Sequence, residues 1–514
     1  MAENIKPQVN PADYRPSEIP VNLESIIKAD HKKKIRFGLI MGIFCALYWG
    51  VWYVPGYAVW GMNDFLDPDC IAGLGGAILE KKDVSTDTAY VLECLFLTCI
   101  NATACALVLF IWNGALGKLP EFKRTLCEVK AASKYFMLAG ICGACAVSGT
   151  YIAAAFLSPG FAAVAGLLYP IIGTIMSVLY LKQKVSKRGY LAIIVLLAGG
   201  ITLYAGSMIT GTDSANPALG ALGGIMAAVG WGFEGVVAGK ALDICEPDVG
   251  LHLRFCFEAV FWWIVMAVLM IAGFPMMDTI GEIADPSIFL VVLLLGLSFA
   301  WCYVTWYKSF PFLGVARGQA VGSLYAACAV VFLIIFFGPA SALGYTDSTS
   351  SGDKAILIGS TIAGLIICLI GSFLIATEDS EGMVSLRDSG GSETTTGENQ
   401  EVNSVKPIDD QGKIIKKAPI KFRLMQILEN GGPMWSYEVV DKLCQEYNMS
   451  SEHERHMVNY DLIEMTSAGF LQELEHKVDT EGKLNKDHLL VRYGITDLGI
   501  TTVDGLKSEV RYYE

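Results

Sequence analysis

Residues 37–60 of this chain are written twice. The pattern Gly42-Ile43, Ala46, Trp49-Gly50 returns at one constant offset, without a gap, as Gly224-Ile225, Ala228, Trp231-Gly232. Each copy lies in an apolar run of about 20 residues, the length at which a helix crosses a bilayer. A chain that repeats a membrane-length helix in this way is constrained to two related membrane halves.

Hydrophobic residues make up 53% of the chain and charged residues 17%, with 53 Gly, which is the composition of a polytopic membrane protein rather than a soluble enzyme. The net charge of −13 comes largely from the polar tail, and nothing is basic enough to suggest nucleic acid. The first residues are polar and the first apolar run is long enough to stay as a span, so no short cleavable signal is expected. Most of the 14 Cys sit inside apolar runs, among them Cys45, Cys142, Cys302 and Cys368, where a thiol packs as a small apolar group. Their scatter argues against a metal site or a disulfide framework.

Ten apolar spans are expected, at 37–60, 88–111, 135–157, 160–181, 190–210, 218–239, 255–274, 288–307, 318–338 and 355–376. Basic residues gather in alternate connections: Lys118 to Lys134, Lys182 to Arg188, Lys240 with Arg254, and Lys308 with Arg317. The other connections carry only Lys81, Lys82 and Lys354, and 273–287 is purely acidic. This asymmetry puts both termini in the cytoplasm of a multi-pass cell-membrane protein. Five spans per half then turn the second half over relative to the first.

Two further repeats extend the pattern. Gly140, Tyr151, Phe156-Leu157, Gly166 and Leu168-Tyr169 match Gly296, Tyr307, Phe312-Leu313, Gly322 and Leu324-Tyr325; Ala198-Gly199 and Gly206-Ser207 match Ala363-Gly364 and Gly371-Ser372. Inverted five-plus-five repeats are a transporter architecture, since two near-equivalent halves can open a mid-membrane cavity alternately to each side. Duplication kept for packing alone is the bland alternative.

The run Leu167 to Leu203, the Ala-Leu-Tyr-Trp-Gly of the first span, and Pro247-Asp248-Val249 leading to Arg254 resemble the EamA-type drug/metabolite transporter superfamily over residues 36–376. The resemblance implies an all-α ten-helix fold, a central cavity lined by spans other than the fifth and tenth, and transport of small metabolites. Gln183 stands where such proteins usually carry Glu, and Glu93 where the second span usually carries a basic residue.

The domain division is 1–35 (N-terminal segment), 36–210 and 211–376 (the two repeats), 377–413 (a Ser/Thr/Gly/Glu linker) and 414–514. The last segment reads as helices from Ile420, Ser436 and Ser451, then strands Phe470–Val478 and His488–Ile495 around a tip at Asp479-Thr480-Glu481-Gly482. With Tyr493 to Gly499 it resembles a winged-helix domain. Its third helix carries Glu452, Glu454, Asp461 and Glu464 against Arg455, an acidic face that phosphates would repel. Protein contact, dimerisation or regulation of the membrane unit is therefore expected rather than DNA binding.

Three carboxylates fall inside expected spans, and each must find a partner or a cavity in hydrocarbon. Glu258 follows Arg254 by four residues and reads as an intrahelical pair near the cytoplasmic end. Glu93 is as readily an outer-interface residue as a functional one. Glu234, three residues after Trp231 and where the first copy has Trp52, is the candidate for holding a cationic substrate or accepting a proton; a protonated, structural Glu234 is the alternative. Aromatic residues add to it. Trp49, Trp52 and Tyr53 share one helix face, as do Tyr303, Trp306 and Tyr307, and the repeats add Tyr151, Tyr169 and Tyr325. Such rings around a carboxylate can hold an organic cation at roughly 0.5–2 kcal/mol per ring, although the same pattern fits a general apolar or aromatic site. Tyr57 and Trp60 read as interface belt.

The expectation is a secondary transporter of a small organic metabolite, for instance a quaternary amine, with no cofactor, no metal and no catalytic residue. No Walker-type phosphate loop is present. The competing class is a ligand sensor whose C-terminal domain passes on the signal. A membrane enzyme ranks third, because the spans offer no His pair or nucleophile–base constellation.

Overall fold

The computed structural model describes residues 23–61, 73–156, 168–210, 216–376 (except 344, 346 and 348) and 417–510 (except 487). The expected linker 377–413 and the first part of the fourth expected span lie outside the described residues. Among the described residues, seven helices are each long and apolar enough to cross a membrane: α1 (Leu23–Gly61), α3 (Thr86–Ala115), α5 (Lys130–Phe156), α8 (Pro217–Leu242), α9 (Pro247–Ile271), α10 (Pro286–Gly322) and α12 (Ser351–Ala376). Three more apolar helices stand among them: α6 (Tyr169–Leu179), α7 (Lys187–Thr210) and α11 (Tyr325–Leu343). Short α2 (Leu74–Lys81) and α4 (Leu119–Glu128) serve as connections.

Helix starts are set locally. Asn216, Glu246 and Asp285 each accept a hydrogen bond from the first turn of α8, α9 and α10, and each is followed by Pro, whose missing N–H costs nothing at that position. One connection departs from expectation. Residues 308–317 form no loop but continue α10, which bends at Gly314, where φ is +75° and only glycine is unstrained. Pro311 removes one helical donor just before, and the amide of Val315 is satisfied by Gln183 Oε1 at 2.9 Å. Lys308, expected on that loop, pairs with Asp248 at 2.9 Å, while the Arg317 guanidinium donates to the Lys184 carbonyl. At the other end of the chain the first helix starts fourteen residues before its apolar run, because the polar Leu23–Arg36 stretch is itself helical.

The helices pack in matched sets. α1 lies on α10 and α11, and α8 on α5 and α6; α5 lies on α9, and α3 on α10; α3 pairs with α9, and α7 with α12. Small residues permit the tightest of these crossings. A Cβ at Gly149 would come within 2.5 Å of the Gly223 carbonyl, and one at Gly223 within 2.6 Å of the Gly149 carbonyl.

The C-terminal domain has the order α13 (Ile420–Gly431), β1 (Met434–Trp435), α14 (Ser436–Tyr447), α15 (Glu452–Ser467), β2 (Leu471–Val478), β3 (Leu489–Ile495) and α16 (Asp497–Lys507). Its antiparallel sheet runs β1-β3-β2, with Leu471 opposite Ile495 and a bulge between Glu473 and Glu475. Phe422, Leu428, Val439, Leu443, Leu462 and Tyr493 fill its core. The domain rests on one end of the bundle. Lys421 Nζ donates to the carbonyls of Leu242 and Cys245, at the end of α8, and pairs with Glu464 at 2.7 Å. Ile420 N donates to Glu121, Ala131 N donates to Glu509, and the Tyr460 ring meets Phe37 and Phe312. The acidic face expected on α15 is thus not a free surface: Asp461 and Glu464 are buried in this seam, Glu454 is half-buried, and Glu452 stays exposed.

Candidate functional site

Three helices bring one carboxylate cluster together. α8 supplies Trp231 and Glu234 one turn apart, α9 supplies Arg254 and Glu258 at i,i+4, and α10 supplies Tyr303 and Tyr307 at i,i+4, so each pair projects from one face. Arg254 Nε donates to Glu234 Oε1 at 2.7 Å, and Arg254 Nη1 donates to Glu258 Oε2. The Tyr303 hydroxyl donates to Glu234 Oε2 at 3.0 Å and accepts from Trp231 Nε1 at 3.1 Å; the Tyr307 hydroxyl reaches Glu234 Oε1 at 3.4 Å. The guanidinium also lies over the rings of Phe255 and Tyr303, 4.0 and 4.7 Å from their centroids. All three charged side chains are 0% exposed. The pair expected to be intrahelical is therefore shared: Arg254 bridges two carboxylates on two helices.

Gly143 of α5 makes room for this bridge. A Cβ there would stand 1.7 Å from Arg254 Nη2. Gly143→Ala is expected to push the guanidinium off Glu234, and the overpacking is expected to cost about 1–3 kcal/mol of stability. Thermal unfolding of the purified variant beside the wild type checks this.

Next to the cluster is an aromatic layer. Trp49 stacks on Tyr325 at 4.3 Å and meets Trp231 edge-on at 4.8 Å, with Tyr169 at 5.8 Å and Trp306 at 6.1 Å. Tyr169 is fixed by donating its hydroxyl proton to the Gln319 carbonyl at 2.7 Å. Trp49 and Trp231, the repeated tryptophans, thus touch each other inside the bundle and are both 0% exposed. Beyond Trp49, a cavity of about 250 Å³ is lined by Trp52, Tyr53, Tyr57, Tyr90, Tyr151 and Leu333, among others. Trp52 is held there by Asn101 at 3.2 Å and by Phe299, stacked at 4.7 Å.

The eleven aromatic and acidic residues singled out from the sequence thus fall into three adjoining groups: Glu234, Tyr303 and Tyr307 in the cluster; Trp49, Tyr169, Trp231, Trp306 and Tyr325 in the layer; Trp52, Tyr53 and Tyr151 on the cavity wall. Two readings are corrected. Glu93 is not at an interface but fully buried beside Gly75, because α2 folds over that part of α3. Tyr57 is not belt: its ring packs on Phe337 at 4.7 Å and lines the cavity. The side chain of Trp60 lies outside the described residues. Sequence reasoning did not single out Gln319, whose Nε2 donates to the Trp231 carbonyl at 3.3 Å and whose buried Oε1 meets no donor among the described residues.

Residues 85–205 match the EamA-like transporter family. No curated protein matches the chain. A solved structure titled only "Crystal structure of protein" is 16% identical and aligns over 65% of this chain and 96% of its own, with a TM-score of 0.41. With seven helices among the described residues long enough to cross a membrane, two of them inside that stretch, residues 85–205 are an EamA-like transporter domain of the drug/metabolite transporter superfamily, set in a multi-pass membrane protein.

Proposed function

We propose that the chain is a secondary transporter of a small organic metabolite, working by alternating access of two halves, 36–210 and 211–376, that insert with opposite orientation. The helix pairings support two equivalent halves, and an odd number of spans per half supplies the inversion. If α1 corresponds to α8, α3 to α9, α5 to α10, α6 to α11 and α7 to α12, then α1 on α10 maps onto α8 on α5, α1 on α11 onto α8 on α6, and α5 on α9 onto α10 on α3. The pairs α3 with α9 and α7 with α12 map onto themselves. A pseudo-twofold axis demands this set.

The observation that carries the coupling mechanism is the charge count at the buried cluster. Glu234 and Glu258 face a single guanidinium, so with both ionised the cluster holds one uncompensated negative charge in a medium where such a charge is expensive. A proton or a cationic substrate can supply the missing charge, and not both at once. This competition is the elementary requirement of proton-coupled exchange. The aromatic cavity suits the organic part of such a cation, by cation–π attraction from Trp52, Tyr53 and Tyr151. Arg254 already occupies Glu234, so a substrate cation acts by shifting that bridge toward Glu258 rather than by entering an empty carboxylate.

Glu234→Gln removes the excess charge and keeps the shape. In proteoliposomes it is expected to abolish accumulation driven by a pH gradient, while exchange of preloaded for external substrate continues. Tetraethylammonium is expected to compete in the wild type, and Trp52→Ala to weaken that competition at least fivefold more than competition by a neutral aromatic. Wild-type pH dependence in the Gln variant would refute the coupling role.

On this topology the C-terminal domain is cytoplasmic. Its element order supports a winged-helix likeness, and its docking against α1, α4, α8 and α10 supports a regulatory role: three of those helices carry Trp49, Glu234 and Tyr303. Any duplex contact through α15 requires undocking first.

A further inference from the structure

A second cleft, of about 160 Å³, opens between the C-terminal domain and the bundle. Its walls come from the α3–α4 turn (Leu116 to Pro120), the α8–α9 turn (Ile244 to Val249), the start of α13 and one face of α15. His453 also lines the cleft, and among the described residues the lysines and the arginine on its walls are each paired. Lys118 is bonded to Glu246 at 2.6 Å and to Asp248 at 2.5 Å, Arg124 to Glu121 at 2.7 Å, and Lys421 to Glu464 at 2.7 Å. One acid on the walls is not. Asp461 is 5% exposed, and its Oδ1 meets no hydrogen-bond donor among the described residues. A buried carboxylate oxygen without a donor is a costly feature unless something else supplies an N–H.

We propose that this cleft is an effector site for a small organic amine, whose ammonium group donates to Asp461 while its carbon chain lies along Met449, Met457 and Val458. The volume favours an organic molecule over a bare ion, since it is about ten times the ~15 Å³ that one water needs. Charge favours a cation. Burial pushes the Asp461 carboxyl up, Lys421 opposes this, and the neighbouring Glu464 and Glu246 carboxylates push it further up, so an incoming ammonium meets local negative charge. Position supplies the consequence: the ligand touches both the C-terminal domain and the turns that end α3 and α8, and its binding tightens the seam. The inference rests on the regulatory reading of the C-terminal domain given above, but its test reads binding and not transport.

The test is titration calorimetry of the full-length protein in nanodiscs with putrescine as probe, in 100 mM KCl, followed by hydrogen–deuterium exchange across 452–467. The expected result is saturable binding with one putrescine per chain, added protection of 452–467, and at least tenfold weaker binding in Asp461→Asn. Glu234→Gln is expected to bind as the wild type does, which separates this cleft from the transport site. Should Asp461→Asn itself loosen 452–467 without ligand, Met457→Trp fills the cleft while leaving the carboxylate, and is expected to abolish binding. No heat with putrescine, equal affinity in the Asp461 variant, or complete displacement by the potassium already present would each overturn the proposal; the last would mark a site for inorganic ions.

Discussion

Arg254→Leu is expected to lower uptake at least a hundredfold and to destabilise the membrane unit by about 3–5 kcal/mol, the usual consequence of stranding a buried charge. The guanidinium is the only cation paired with Glu234 and Glu258 among the described residues, and all three side chains are fully buried. Removing it leaves two carboxylates in each other's company, and both must take up protons for the fold to persist. Arg254→Lys is expected to lose uptake nearly as fully, because one ammonium cannot reproduce a planar fork that reaches Glu234 through Nε and Glu258 through Nη1. Stability and transport then come apart in the triple variant Arg254→Leu, Glu234→Gln, Glu258→Gln. With no charge left to strand, thermal unfolding is expected to return close to wild type while uptake stays absent. If Arg254→Leu alone kept wild-type uptake, the cluster would be a structural bridge and nothing more.

Much of this cluster was legible in the sequence, and the part that was not has a geometric cause. Helical spacing put Tyr303 and Tyr307 on one face, and Glu234 stood out as a carboxylate inside an apolar span beside the repeated Trp231, because spacing and hydropathy are local properties. The partnership of Arg254 with Glu234 is not local, since i,i+4 neighbours made Glu258 look sufficient. Yet a signal was present. Glu234 lies two turns before the end of α8 at Leu242, and Arg254 two turns after the start of α9 at Pro247. A helical hairpin puts such residues at equal depth, about 11–12 Å from the turn. The repeat logic also had a limit. It equates Glu234 with Trp52, and the structure shows how far the two copies have diverged: Trp52 hydrogen-bonds Asn101 on the cavity wall, whereas Glu234 binds Arg254. The bend in α10 was hidden because Pro311 and Gly314 with flanking Lys308 and Arg317 have the composition of a loop; the structure instead keeps helix on both sides of a break at Gly314 and gives those cations partners in Asp248 and the Lys184 carbonyl. Hydropathy likewise saw the acids of α15 as a solvated face, having no access to the bundle that covers Asp461 and Glu464.

Lys421→Met is expected to release the C-terminal domain from the bundle without unfolding it. Lys421 is 2% exposed and does two things at once: it pairs with Glu464 inside its own domain, and it donates to the Leu242 and Cys245 carbonyls at the end of α8. A cation at a helix C-terminus is worth about 0.3–1 kcal/mol, whereas the buried carboxylate left behind costs about 3–5 kcal/mol. The second magnitude decides the outcome. Burial opposes the charge on Lys421, but the Glu464 and Asp461 carboxylates outweigh it and hold the ammonium above its ordinary range, so neutralising the lysine is no escape at physiological pH. The domain's own core, Phe422, Leu428, Leu443, Leu462 and Tyr493, does not involve this residue, so undocking relieves Glu464 by letting water reach it. Exchange of amides in 420–431 and 452–467 is expected to speed at least tenfold at the seam while the β2–β3 ladder stays protected, and Glu464→Gln in the same chain is expected to restore about half of the protection, because it removes the stranded charge. Transport measured on this undocked form reads the regulatory role directly. A changed rate ties the seam to gating, through α1, α8 and α10, and an unchanged rate with the domain demonstrably free makes the domain a passenger whose partner lies elsewhere.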